Sequence, residues 1–274
     1  MSLLSRILKP TAKLLLKWLG IKIRRTKTFE RSSLPGVLQN MRDLGISPVS
    51  VIDVGAALGD WSLACSKIFP NAKYVLVGPL SEYSRALKHA MENIKQAVYI
   101  NQAAASSEGK TEMYVHKDLV GSSLKAEVET YNQQNTHKRK ISELTLDSLI
   151  QKKYLDTPFL IKLDVQGAEI DVLDGAENML KSTEVVVVEV SLFKGFVDGH
   201  EFQEVISYMK NRGFVLYDLY GLNYRPYDRA PSQIDVVFVP EQSPLRKFHG
   251  YATKEQRDMQ DGRFQNKLKD RLNV

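Results

Sequence analysis

The stretch Phe159-Leu160-Ile161-Lys162-Leu163-Asp164-Val165-Gln166-Gly167-Ala168-Glu169 constrains the fold more than any other part of this chain. Its apolar run has the length of a buried strand, and a central strand has water on neither face. Lys162 and Asp164 are two residues apart, so on such a strand they project to one face and compensate each other. Gly167 follows at once, and Ile170, Val172, Leu173, Ala176 and Leu180 then repeat at helical spacing. The charges therefore sit where strand becomes helix. In an open parallel sheet, the carboxyl ends of the strands are where ligands bind.

The same alternation of short apolar runs and helical patterns continues along the chain, which predicts βαβ units and a mostly parallel sheet. Strands are expected at 49–54, 74–77, 97–101, 159–164, 185–190, 214–220 and 234–239, and helices at 61–69, 82–94, 168–180 and 201–212. The last two strands have no helical pattern between them and read as a hairpin. The expected architecture is thus α/β, a doubly wound seven-stranded sheet with an antiparallel edge hairpin. The polar stretch 117–140 reads as a surface insertion and a candidate lid.

Composition suits one sizeable core: 274 residues with 43% hydrophobic content. A net charge of +6 is modest, and much of it is local, since nine basic residues precede Leu34 against the single acid Glu30. Leu3, Leu4, Ile7, Leu8, Leu14, Leu15, Trp18 and Leu19 suggest an amphipathic helix broken near Pro10, too short in its apolar part for secretion or spanning. Such a segment either packs on the domain or lies on an anionic membrane surface. The lone Cys65 offers neither a disulfide nor a zinc framework. Three parts are expected: a basic N-terminal segment at 1–34, a catalytic domain at 35–240 and a charged tail at 241–274. The expected location is the cytoplasm and, if the segment 1–34 does not pack on the domain, the inner face of a membrane.

A second motif, Asp53-Val54-Gly55-Ala56-Ala57-Leu58-Gly59-Asp60, closes the first strand. Glycines at a strand-to-helix turn let backbone approach a ligand closely. The Gly-x-x-x-Gly spacing differs from the dinucleotide pattern, and Asp53 would repel phosphate. A cofactor without phosphates fits better.

At these residues the chain resembles the FkbM family of S-adenosylmethionine-dependent methyltransferases. The glycine motif is similar, and so are the run from Lys162 to Glu169 and Val172-Leu173-Asp174-Gly175-Ala176. Further similar pieces are 103–109, 144–147, 187–190 and 235–238. The resemblance runs over about 49–239. It implies the class I, Rossmann-like methyltransferase fold, S-adenosylmethionine as cofactor, and O-methylation of a sugar, glycan or other hydroxylated acceptor. Cofactor contacts are then expected from Asp53, Gly55, Ala56, Ala57, Gly59, Gly78, Pro79, Ser81 and Ala103. On the acceptor side, Asp164 is the first candidate for base or orienter, held by Lys162, with Glu189 on the neighbouring strand and His200 as a second base. Glu169 could cap its own helix.

Two departures stand out. Ala57 replaces the family's usual Asn, and Val77-Gly78-Pro79 replaces a strand end that carries an acid before proline. That acid ordinarily accepts from the ribose hydroxyls, and Ser81 or Glu82 is the candidate substitute. The different-class alternative is a noncatalytic scaffold protein of the same fold; a Rossmann dehydrogenase is disfavoured by the glycine spacing. Asp164 and Glu189 have no third oxygen ligand at an obvious spacing, so no metal is expected. Nucleic acid is not expected either, because no recognisable module accompanies the basic clusters. Tyr220, Tyr224 and Tyr227, near Arg225 and Arg229, either stack on a sugar or form an ordinary exposed hairpin.

Overall fold

Seven strands form the main sheet, in the order β3 (Ala97–Ile100), β2 (Lys73–Val77), β1 (Ser50–Val54), β7 (Phe159–Leu163), β8 (Thr183–Ser191), β10 (Pro231–Pro240) and β9 (Phe214–Tyr224). The computed structural model describes residues 29–129, 133–151 and 155–272. Arg31–Val274 form one compact unit and Met1–Glu30 another. The expected helix over the first twenty residues lies outside the described residues.

Strands β1 (Ser50–Val54), β2 (Lys73–Val77), β3 (Ala97–Ile100), β7 (Phe159–Leu163) and β8 (Thr183–Ser191) run parallel. Only β9 (Phe214–Tyr224) and β10 (Pro231–Pro240) complete the sheet as an antiparallel hairpin. Every residue of β1 and β7 is buried, as continuous apolar runs in the middle of a doubly covered sheet require. Helices α1 (Leu34–Asp43), α2 (Asp60–Ser66) and α3 (Ser84–Asn93) bury Leu38, Met41, Cys65, Leu87 and Ala90 against one face. On the other face lie α4 (Leu146–Gln151), α5 (Glu169–Asp174), α6 (Glu177–Leu180) and α7 (Phe202–Asn211), which contribute Leu149, Val172, Met179 and Met209. Strand order reverses between β1 and β7, so a crevice opens there at the carboxyl ends.

The structure differs from the sequence expectation in four places, one of them helix α4, which was not expected. Helix α1 was not expected, and the boundary placed at residue 34 falls at its start: Ser33 Oγ accepts from Gly36 N–H at 3.3 Å and Pro35 occupies the first turn. The single helix expected at 168–180 is two, because the chain bends at Gly175, where a Cβ would collide with the Ala105 carbonyl. A second sheet, β4 (Ala103–Ala104), β6 (Thr136–Leu144) and β5 (Gly109–His116), takes up the end of the stretch read as an insertion. In its β5, buried Met113 and Val115 alternate with exposed Glu112 and half-buried Tyr114 and His116, and that alternation is legible in the sequence. The tail forms a solvent-exposed helix, α8 (Lys254–Leu272). Among the described residues, no helix is long and apolar enough to cross a membrane.

Candidate active site

Glycine geometry shapes the floor of the crevice. Gly55 and Gly59 both take positive φ, at 77° and 81°. A Cβ at Gly55 would collide with the Asp164 carbonyl, and one at Gly59 would stand 2.6 Å from Ala90 Cβ. These two loops, from β1 and β7, can approach each other only because Gly55 has no side chain.

After β7 the backbone turns sharply: Gln166 has φ 56° and Gly167 φ 93°. Glu169 makes this turn possible. Its Oε1 accepts from Val165 N–H at 3.2 Å and Gly167 N–H at 3.0 Å, so it binds the turn before its helix and does not cap the helix itself. Burial pushes the Glu169 carboxyl up to about 7 against the pull of those N–H groups.

The turn aims Gln166 at two acids. Gln166 Nε2 donates to Asp164 Oδ1 at 2.9 Å and to Glu189 Oε2 at 3.1 Å, and Gln233 Nε2 donates to the same Glu189 oxygen at 3.0 Å. Lys162 Nζ stands 2.9 Å from Asp164 Oδ2 and 3.8 Å from Asp53 Oδ1. Asp53 is fully buried; its Oδ2 accepts from Ser62 Oγ at 2.6 Å, while Oδ1 has no hydrogen-bond donor among the described residues.

These neighbours split the two cavity acids. Burial works against ionised Asp164, but the Lys162 charge and its hydrogen bond outweigh that and hold the carboxyl below its ordinary range. Burial, and then the charge on Asp164, push Glu189 up to about 8. Asp235, register partner of Glu189, is raised by burial to about 7 despite Lys162. Burial pulls the Lys162 pKa down, yet the charges on Asp164 and Asp53 outweigh it and raise the pKa above its ordinary value. Near neutral pH, one acid of the pair is charged and the other carries a proton.

A cavity of about 330 Å³ runs from these acids to β2 and β3. Of the expected site residues, Gly55, Ala57, Gly78, Pro79, Ala103, Asp164 and Glu189 line it. Asp53, Ala56, Gly59 and Lys162 do not line it, and Lys162 touches the lining through Asp164. Ser81 is exposed beyond it, and His200 lies outside, with Nδ1 3.8 Å from Glu204 Oε2 at the start of α7. Glu82 is not a substitute acid for the cavity, since both of its oxygens accept from Arg139, at 3.0 and 2.6 Å.

Residues that the sequence reading missed complete the lining: Tyr83, Tyr99 and Met113 on the apolar side, and Gln166, Asn223 and Gln233 on the polar side. Leu119, Val120, Ser122, Ser123 and Leu124 come from the stretch expected as a lid, which therefore does wall the cavity. Ser123 Oγ ties that wall to the Gln166 carbonyl at 2.6 Å. Among the described residues, no group of three His, Cys, Asp or Glu side chains is placed to hold a metal ion.

A profile described as the Methyltransferase FkbM domain matches residues 53–216, more than half of the chain. Solved structures match at low identity. One is a magnesium protoporphyrin IX methyltransferase from Synechocystis PCC 6803 with bound S-adenosylmethionine, at 12% identity over 76% of this chain and 77% of that one, TM-score 0.44. An rRNA methylase from Streptococcus thermophilus matches at 10% identity over 80% of this chain and 99% of that one, TM-score 0.43. A precorrin-6y C5,15-methyltransferase from Geobacter metallireducens GS-15 matches at 9% over 79% and 93%, TM-score 0.41. Among curated proteins, none matches the chain significantly.

Proposed function

Since the chain belongs to the FkbM methyltransferase family and uses S-adenosylmethionine, we propose that it methylates a hydroxyl oxygen, on a sugar, glycan or similar acceptor, with Glu189 as the base. The carrying observation is the split pair at the cavity: Asp164 ionised beside Lys162, and Glu189 raised to about 8 beside it.

The lining fits the cofactor. Charged Asp164 suits a sulfonium, the turn at Gly55 and Ala57 brings backbone to the cavity edge for the methionine end, and Val77, Leu80, Tyr83, Tyr99 and Met113 offer an apolar slot for the adenine. When bound, S-adenosylmethionine supplies an electrophilic methyl group. The protein's own part is to hold an acceptor oxygen in line and to receive its proton. Asp164 was the first candidate base. Its charge is already committed to Lys162 and Gln166, which makes it a weak proton acceptor and a good orienter. Glu189 is better matched to neutral pH, and a proton that it takes is held in a hydrogen bond to Asp164.

Incubation with S-adenosylmethionine labelled in the methyl group and a panel of hydroxylated acceptors tests the reading. Label should enter a product that survives alkaline hydrolysis, as an ether does. Label lost in alkali, as from an ester, or transfer only to amines, would overturn it.

The ribose end lacks an acid. Gly78 has ordinary backbone geometry, and a Cβ there would meet nothing closer than Ala56 N at 3.9 Å. The Gly78 carbonyl accepts from Tyr99 OH at 2.8 Å. Gly78→Glu should therefore tighten S-adenosylmethionine binding by about one to two decades, the worth of roughly 1.5 to 3 kcal/mol for charge-assisted hydrogen bonds. Calorimetric titration reads it; unchanged affinity would mean that other groups already hold the ribose. Peripheral membrane contact through residues 1–34 stays a separate proposal, resting on the basic and apolar pattern of that segment.

A further inference from the structure

We propose that the rings at the end of the β9–β10 hairpin form a platform for the sugar units flanking the methylated one in a glycan acceptor, a reading that rests on the acceptor class given above. The platform continues the cavity wall. Asn223 and Gln233 are register partners and both line the cavity, and the chain runs from Asn223 directly into Tyr224, Arg225 and Tyr227. From the β8 side, Leu192 N–H donates to the Ser232 carbonyl at 2.8 Å, which brings Phe193 to the same edge. There the Arg225 guanidinium carbon stands 3.7 Å from the centre of the Phe193 ring and 5.6 Å from that of Tyr227.

Arg225 is already spent as an anion site. Its Nε and Nη2 donate to Asp228 at 2.7 and 2.6 Å, so its fork and its charge are both matched. A phosphate finds no free fork on it, whereas ring surface remains exposed: Tyr227 is 90% exposed, Tyr224 61% and Phe193, which Arg225 covers on one face, 41%. Flat apolar faces rimmed by phenolic oxygens and Asn223 suit the C–H face of a neutral pyranose with hydroxyls at its edge. Position supports an outlying sugar. Along β8, Glu189 to Ser191 spans roughly 7 Å, and Phe193 lies beyond, too far from the base to touch the reacting residue.

The test is a glycan microarray of neutral and acidic oligosaccharides, probed with the full chain saturated with S-adenosylhomocysteine. The natural sequence should bind a set of neutral oligosaccharides. The Phe193→Ala/Tyr227→Ala variant should lose at least tenfold in that binding, and Tyr227→Ala alone an intermediate amount, while S-adenosylmethionine still raises the Tm of both variants as in the natural sequence. Undiminished binding by the double variant, or no binding by the natural sequence, would overturn the platform. So would binding to phosphatidylcholine vesicles that the same substitutions abolish, which would give the rings to a membrane. Failure of the proposed function leaves a different mark: ring-dependent glycan binding with no methyl transfer.

Discussion

Replacing Glu189 by Gln is expected to lower methyl transfer by roughly two to four decades, the contribution of a positioned base, with S-adenosylmethionine binding retained. The shape and the amide contacts at Oε2 survive in the Gln variant, so the loss reports the proton. Its pH profile is the sharper readout. Glu189 must be ionised to act, and burial next to Asp164 raises it to about 8. Activity of the natural sequence should therefore climb tenfold per pH unit below about 8 and level off above it, with a midpoint that belongs to the coupled pair. The Gln variant should lack that limb. Stability runs the other way: a raised acid contributes fully below its ordinary value near 4.5, and the contribution fades as pH rises through about 8. The natural sequence should thus lose stability from pH 6 to 9 by more than the variant does. A Gln variant of normal activity would remove Glu189 from the reaction.

Lys162→Met should produce the largest stability loss, about 3 to 5 kcal/mol, as expected when one partner of a buried ion pair is removed. The Lys162 side chain is 6% exposed and stands between Asp164 and the fully buried Asp53. Met fills much of the stem's volume, so the loss reads the stranded charges. Protonation of Asp53 relieves part of it at low pH, hence the deficit should grow between pH 5 and 8. Urea denaturation at both pH values measures it. A deficit below about 1 kcal/mol, or one independent of pH, would mean that the cation is not what keeps these acids buried.

Much of the site was legible because local chemistry demanded it. Lys162 and Asp164 had to pair on a buried strand, and Gly55 and Gly167 had to serve turns. Gln233 and Asn223 were not legible. They reach the cavity through register shifts in the β9–β10 pairing, between Gln233 and Asp235 and between Pro231 and Gln233, and a bulge changes which side chains share a face. His200 illustrates the reverse: a residue type suited to catalysis, placed by its loop outside the cavity wall.

The sequence by itself determined the seven strands of the main sheet, the two charged strand ends and the family, because periodicity and turn chemistry are properties of neighbouring residues. Only the tertiary structure separates the two cavity acids. Asp164 and Glu189 are equivalent as carboxylates in a string of letters. Their difference arises because Lys162 lies 2.9 Å from Asp164 and because the ionised Asp164 repels a second buried charge on Glu189. That asymmetry depends on distance and burial, which residues far apart in sequence acquire when β7 and β8 lie side by side.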